Sequence, residues 1–501
     1  MPDQQTSPYD TQPYPRLPFP QTHPDRLAIM GLIFGMEPTD IRNCRVLEIG
    51  CATGGNLVPM AEQLPSSQFF GFDLSQRQVD DAKAWIAELR LTNIQVKQLD
   101  IGDATKELGA FDYILCHGVY SWVSADTQAS ILDLISNHLS PNGIAYISYN
   151  TNPGWNVRGI VRDMMLFHTQ HIDNTHAKII RARELLSFMV QNIAPTDPYG
   201  MLLKSELETL EGKADEHIEH DYFEVHNLPV YFHAFSASLT AHNLQYLCEA
   251  DVESTFRGDV PRETLQTLER MSGDEIRLEQ YLDFLRKRTY RQSLVCHAHQ
   301  PLYRELEPAM VDRCFLESLL VRTQSPIHFR NRFSGITLAI EDPVLHTSLS
   351  ILAELDKSDW VFNELVGEVQ RLHSSSIDVE KLRRMYLQAF ASGHMEFHTS
   401  PPRYGYDLSG MPHASGCARS QAILGAKVTS LSHNNVVLSD LDLIVLQQLD
   451  GTKRLDEILP KVETALANGK QVKFDANSLQ EAVEKSARNL ARMRLLFSRS
   501  I

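Results

Sequence analysis

From residue 44 onward, short apolar runs alternate with stretches in which apolar side chains recur every three to four positions. The runs at 45–50, 68–74, 94–100, 111–118 and 143–150 read as strands. Between them, 56–64, 75–91 and 127–139 carry helical spacing, and "SPNG" after Leu139 stops the last helix. Alternation at this spacing predicts parallel βαβ units, with ligands at the carboxyl ends of the strands. The fold class expected is α/β, a mostly parallel Rossmann-like sheet.

After "YNTNPGW" the alternation stops. Residues 156–225 read as helices without strand signals, and 230–251 as one helix followed by the strand "LQYLCEA". That strand is expected to rejoin the first sheet, which makes 156–225 an insertion. From about 285 to 400 the pattern predicts a mostly helical block, and from about 415 a last unit that ends in a long helix. Residues 1–25 are rich in proline and predicted to be extended or irregular, with a helix opening after Pro24.

Bulk properties narrow the picture. A chain of 501 residues is too long for one core, and about three domains are expected. No apolar run approaches the roughly 20 residues of a membrane span; the longest, 27–36, suits a buried helix. Asp3 after Pro2 is unlike the basic and then apolar start of a signal peptide. Seven scattered cysteines without a Cys-x-x-Cys pair predict free thiols in a reducing compartment, so a cytoplasmic protein. A net charge of −16 disfavours nucleic acid and suits a cationic partner.

The chemistry concentrates at strand ends. "VLEIGCATGGN" closes the first strand with Glu48 and then gives up side-chain bulk over Gly50, Cys51, Ala52 and Gly54 before Asn56. Small residues at a strand-to-helix turn let a ligand approach the backbone. Asp73 ends the second strand beside Leu74, placed to accept from both hydroxyls of a ribose. Asp100 and Ile101 follow the third, where carboxylate and backbone N–H can read an adenine. His117 and Gly118 follow the fourth. A dinucleotide fingerprint would need glycine at 52; Ala52 disfavours a pyrophosphate and Glu48 would repel one. An NAD-binding Rossmann domain remains the alternative.

Taken together, Glu48-x-Gly50-x-x-x-Gly54, Asp73 and Asp100 resemble a class I S-adenosylmethionine-dependent methyltransferase. "YPRLPFPQTHPDR", "GCATGGN", "FDYILCHGVYSWV", "GIAYISYNTNPGW", "HDYFEVHNLPVYFHAF" and "LSHNNVVLSDLDLIVLQQLDGTK" are similar to the rickettsial-type protein-lysine methyltransferases over nearly the whole chain. The resemblance implies S-adenosylmethionine as cofactor, a methyltransferase core joined to a regulatory segment and a winged-helix-like C-terminal domain, and a homodimer. The domains expected are an N-terminal segment capping the cofactor site (1–43), the core (44–155), a helical regulatory or dimerising insertion (156–225), a return to the core sheet (226–284), a middle helical domain (285–400) and a C-terminal domain (401–501).

Tyr120, Tyr149, Asn150 and Trp155 are the expected catalytic residues, orienting an acceptor amine beside the methyl group. The plainer reading is that Tyr120 and Trp122 only cover the cofactor. "NPGW" is similar to the Asn-Pro-Pro-aromatic loop of amino-group methyltransferases, which would make Asn152 an acceptor for the amine. The leading substrate is protein lysine; small-molecule methylation and a non-catalytic S-adenosylmethionine sensor are the alternatives. No metal is expected: "HIEHD" and "CHAH" read as ordinary packing, the Met-rich "RDMMLF" as core, and the basic run "FLRKRTYR" as a solvated face.

Overall fold

The computed structural model describes residues 16–104, 108–213, 215–325, 327–354, 359–373, 376–468 and 476–498. The stretch 1–15, expected to be irregular, lies outside them. Seven strands form the main sheet: β1 (Arg45–Ile49), β2 (Gln68–Asp73), β3 (Ile94–Gln98), β4 (Phe111–Cys116), β5 (Leu139–Asn150), β6 (Leu244–Glu249) and β7 (Tyr290–His297), in the order β3-β2-β1-β4-β5-β7-β6. The first five pair in parallel, and β7 runs antiparallel between β5 and β6. The strand order reverses between β1 and β4, so their carboxyl ends open a crevice there.

Helices α1 (Pro24–Ile33), α2 (Leu57–Gln63), α3 (Gln76–Leu89) and α4 (Ala125–His138) cover this sheet. Ser75 and Ser124 start α3 and α4 by accepting from the N–H groups of Gln78 and Thr127, satisfying donors that a helix leaves unpaired. The apolar run at 27–36 is the buried helix its sequence predicted, with Leu27, Ile29 and Met30 fully enclosed.

The insertion is helical, as its pattern predicted. Helices α5 (Gly154–Thr169), α6 (Thr175–Asn192), α7 (Pro198–Glu211) and α8 (Asp215–Phe223) pack around their own core, which includes Val161, Met165, Leu186, Leu203 and Tyr222. Met165 of the Met-rich stripe is therefore core. The chain then returns through α9 (Phe232–Ala241) to β6, as the pattern predicted, and continues through α10 (Val252–Phe256), α11 (Arg262–Ser272) and α12 (Glu275–Arg286).

Two expectations are corrected beyond this point. The seventh strand lies inside the block read as helical, and the basic run 284–291, read as a solvated face, is so only in part: Phe284, Leu285, Lys287 and Tyr290 are exposed, but its last residue, Arg291, is buried in the strand. Arg291 is 1% exposed and bonds to Glu249, Glu279 and Asp283 at 2.7, 3.0 and 2.8 Å. The remainder of the block is mixed. Strands β8 (Phe315–Ser318), β9 (Leu320–Arg322), β10 (His328–Asn331) and β11 (Thr337–Ala339) are followed by α13 (Pro343–Leu352), β12 (Trp360–Val361), α14 (Phe362–Leu372), α15 (Val379–Ala391) and β13 (Met395–His398). They make two three-stranded sheets, β11-β10-β9 and β12-β8-β13.

The last unit holds α16 (Gly416–Leu424), the hairpin β14 (Lys427–Thr429) and β15 (Asn435–Val437), α17 (Asp440–Gln448), α18 (Leu455–Asn468) and α19 (Ala476–Arg492). Its own core is built on Ala418, Val445, Leu446, Ile458, Val483 and Leu490.

Candidate active site

The turn after β1 is anchored on β2: the N–H groups of Gly50 and Cys51 both donate to the Phe72 carbonyl, at 2.9 and 3.0 Å. Gly50 sits at φ +71°, left-handed backbone that a side chain would strain. Asp73 braces the same turn, accepting from the Ala52 and Ser75 N–H groups at 2.9 Å each. Leu74, 58% exposed, flanks it, and Asp100 accepts from Gly102 N–H at 2.8 Å to close the turn that carries Ile101. Gly118 leaves open space on its Cβ side, and its N–H donates to Ser148 Oγ at 2.8 Å.

Glu48 is the unusual group. It is 3% exposed, its Oε1 accepts from Asn56 Nδ2 at 2.7 Å, and its Oε2 has no hydrogen-bond partner among the described residues. Burial pushes its carboxyl up to about 7. A buried carboxylate oxygen without a donor fits a ligand cation, and S-adenosylmethionine carries an ammonium and a sulfonium. Asp73, Leu74, Asp100 and Ile101 at the neighbouring strand ends suit its nucleoside.

The N-terminal segment lies over this turn. A Cβ on Gly55 would meet Arg16 Cα at 2.5 Å, so only glycine permits the approach. Phe19 donates its N–H to Asn56 Oδ1 at 2.9 Å and stacks on His117 with ring centroids 3.6 Å apart. His117 Nδ1 is 2.9 Å from Tyr146 Oη, and burial lowers its pKa to about 3, so the ring is neutral.

Parity along β5 separates the expected catalytic residues. Successive side chains of a strand point to opposite faces. Tyr146, Ser148 and Asn150 share the face of His117 and Glu48, so Tyr149 is turned away. Tyr149 is 1% exposed, its hydroxyl is 3.1 Å from Ser293 Oγ, and it packs on Phe235 and Tyr120 in a core cluster. Tyr120, 3% exposed, belongs to the same cluster. Neither stands with Asn150, whose Nδ2 donates to Asn227 Oδ1 at 3.1 Å.

Beyond β5 a second group assembles. Trp155 opens α5 and meets Trp122 edge to face at 6.2 Å; His220 of α8 lies against Trp122 at 4.2 Å. Asn152 Nδ2 donates to the Pro229 carbonyl at 3.3 Å. Its Oδ1 and Trp155 Nε1 are buried without a partner among the described residues. Residues 227–230 run alongside, with Leu228 N–H donating to the Ser121 carbonyl at 2.8 Å. Phe19, Ser148 and Asn227 lie in stretches that the sequence singled out, but their contacts are tertiary and no local pattern marks them individually. In "CHAH", His297 Nε2 bonds to the Leu139 carbonyl, and His299 stacks on His297.

The sheet order and this crevice define a class I methyltransferase, and comparisons with known proteins agree. Residues 47–145 match the family described as "Methyltransferase domain", 214–297 "Predicted methyltransferase regulatory domain" and 410–494 "PKMT, C-terminal winged helix domain". The uncharacterized protein RP789 of Rickettsia prowazekii (strain Madrid E) is 38% identical over 467 residues, 89% of this chain and 83% of that one. RP028 of the same organism is 41% identical over 228 residues, 45% of this chain and 91% of that one. PKMT2 from Rickettsia typhi superimposes with a TM-score of 0.86 at 27% identity, covering 97% of this chain and all of that one. The same protein in complex with AdoHcy gives 0.84 at 28% identity. The chain belongs to the family of RP789 and is an S-adenosylmethionine-dependent methyltransferase.

Proposed function

We propose that the chain methylates the side-chain amine of lysine in a protein. The observation that carries this reading is the full-length likeness to PKMT2, which takes in the regulatory and winged-helix units as well as the catalytic core. A core alone would serve any acceptor.

When bound, S-adenosylmethionine supplies a methyl group already activated on sulfur. The chain's residues bind, orient and exclude water. Glu48 takes the ammonium of the methionyl group, Asp73 the ribose hydroxyls, and Asp100 with the Ile101 N–H the adenine. Gly50, Cys51, Ala52, Gly54 and Asn56 shape the methionyl pocket, Leu74 covers the base, and His117 with Gly118 closes the crevice. On the acceptor side, Asn152 Oδ1 takes an N–H of the amine and so aims the nitrogen lone pair. Trp122 and Trp155 line the path of the aliphatic stem. Removing the amine from water lowers its pKa and releases the neutral nucleophile.

Asn150 holds the 227–230 segment against this site, and Tyr120 and Tyr149 support the sheet beneath it. Seven free cysteines suit a reducing cytoplasm, and no described helix is long and apolar enough to cross a membrane. The test is AdoHcy release with a lysine-rich protein mixture and with the same mixture acetylated. Release from the first alone supports the reading, whereas equal release from both would overturn it.

A further inference from the structure

The C-terminal domain reaches the floor of the cofactor site. His433, in the β14–β15 turn, is fully buried, and its Nε2 lies 2.8 Å from Asn56 Oδ1 across 377 residues of sequence. That oxygen also accepts from Phe19 N–H at 2.9 Å and Thr22 Oγ1 at 3.1 Å. The backbone donor of Phe19 fixes which end of the Asn56 amide is oxygen, so His433 must carry its proton on Nε2. The Asn56 amide nitrogen is thereby aimed at Glu48 Oε1, 2.7 Å away, and Glu48 Oε2 is left for a ligand.

Two further observations set His433 apart from ordinary packing. Its backbone is left-handed, φ +60°, a conformation that costs energy for a residue other than glycine and persists where the surroundings impose it. Its Nδ1 is buried with no partner among the described residues, a desolvation cost that a simple core position avoids.

The domain grips the helices on either side of the cofactor turn as well. Glu62 of α2 accepts from Ser415 Oγ at 2.6 Å and from the Gly416 and Cys417 N–H groups at the start of α16. Ser420 donates to Glu88 of α3 at 2.7 Å and accepts from Trp85 Nε1 at 3.2 Å.

We infer that His433 is a positioning residue for the cofactor, acting through Asn56 on Glu48, so that docking of the C-terminal domain and cofactor binding are one coupled equilibrium. The inference rests on Glu48 being the cofactor's carboxylate. Coupling between two sites is reciprocal: the docked domain strengthens cofactor binding, and the cofactor holds the domain down.

The experiment uses the full chain and AdoHcy. His433→Asn favours the left-handed turn but is too short to reach Asn56, whereas His433→Gln restores a donor at similar reach. Calorimetry is expected to give a dissociation constant about tenfold weaker for His433→Asn, equivalent to about 1.4 kcal/mol, and recovery to within about twofold for His433→Gln. Hydrogen exchange at 427–437 is expected to slow when AdoHcy binds the wild-type chain. Unchanged affinity in His433→Asn, or failure of His433→Gln to recover it, would overturn the inference. So would absence of AdoHcy protection at 427–437 in the wild type, which requires no variant. Failure of the wild type to bind AdoHcy at all would instead overturn the reading of Glu48, and the coupling with it.

Discussion

At the scale of residues, the role proposed for Glu48 turns on surroundings that penalise its charge. Because burial raises Glu48 to about 7, the unliganded group is largely protonated below that pH, and a bound cation draws it back to carboxylate. Affinity for S-adenosylmethionine is therefore expected to fall as pH drops through 7, with one proton released on binding at pH 6. Calorimetry in two buffers of different ionisation enthalpy reads that proton, and Glu48→Gln is expected to abolish both effects. An affinity independent of pH in the wild type would contradict this role. The two sides of β5 differ in the same testable way. Tyr149→Phe is expected to leave turnover intact and cost about 1 kcal/mol of stability through the lost bond to Ser293. Asn152→Ala is expected to lower kcat at least tenfold, about 1.4 kcal/mol in the barrier, at little cost in cofactor affinity. Asn152 unchanged and Tyr149 inactive would reverse the assignment.

At the scale of elements, the parallel strands were legible because apolar runs are local features, as is the acid at or just past the end of each of the first three. β7 was not. A strand containing Arg291 and Ser293 reads as polar, and only the carboxylates of Glu249, Glu279 and Asp283, brought from β6 and α12, make its burial tolerable. The direction of Tyr149 was hidden for a related reason: its chemistry was visible, but a period of two sends neighbouring side chains to opposite faces. The helical insertion has its own core yet leaves Phe167 75% and Phe188 59% exposed. A second copy of the chain is the proposed cover. Light scattering is expected to show a dimer that Phe188→Glu weakens; a monomer at micromolar concentration would count against it.

At the scale of the whole molecule, buried charge ties three parts of the chain together. Arg494, just after α19, bonds to Glu317 Oε1 at 2.5 Å and Glu396 Oε2 at 2.8 Å. His398 joins Asp25 at 2.7 Å and Glu317 at 3.4 Å. Burial alone would lower His398, but its bonds to Asp25 and Glu317 outweigh that and raise it to about 10. Its contribution to stability is thus present below pH 6.5 and lost as pH rises through 10. Arg494→Met would leave Glu317 and Glu396 short of a counter-charge and is expected to destabilise the chain by about 3–5 kcal/mol, read as a drop in thermal midpoint. These contacts, like that of His433 with Asn56, join residues 81 to 377 positions apart, which no local pattern encodes. The central claim is methyl transfer from S-adenosylmethionine to lysine at this site. Its most direct test is mass spectrometry of a lysine-rich protein mixture incubated with the chain and methyl-deuterated S-adenosylmethionine. The account predicts the heavy methyl on lysine side chains, and a Glu48→Ala variant that transfers little. Heavy methyl found only on other residues, or none while wild-type AdoHcy accumulates with a small-molecule acceptor, would contradict it.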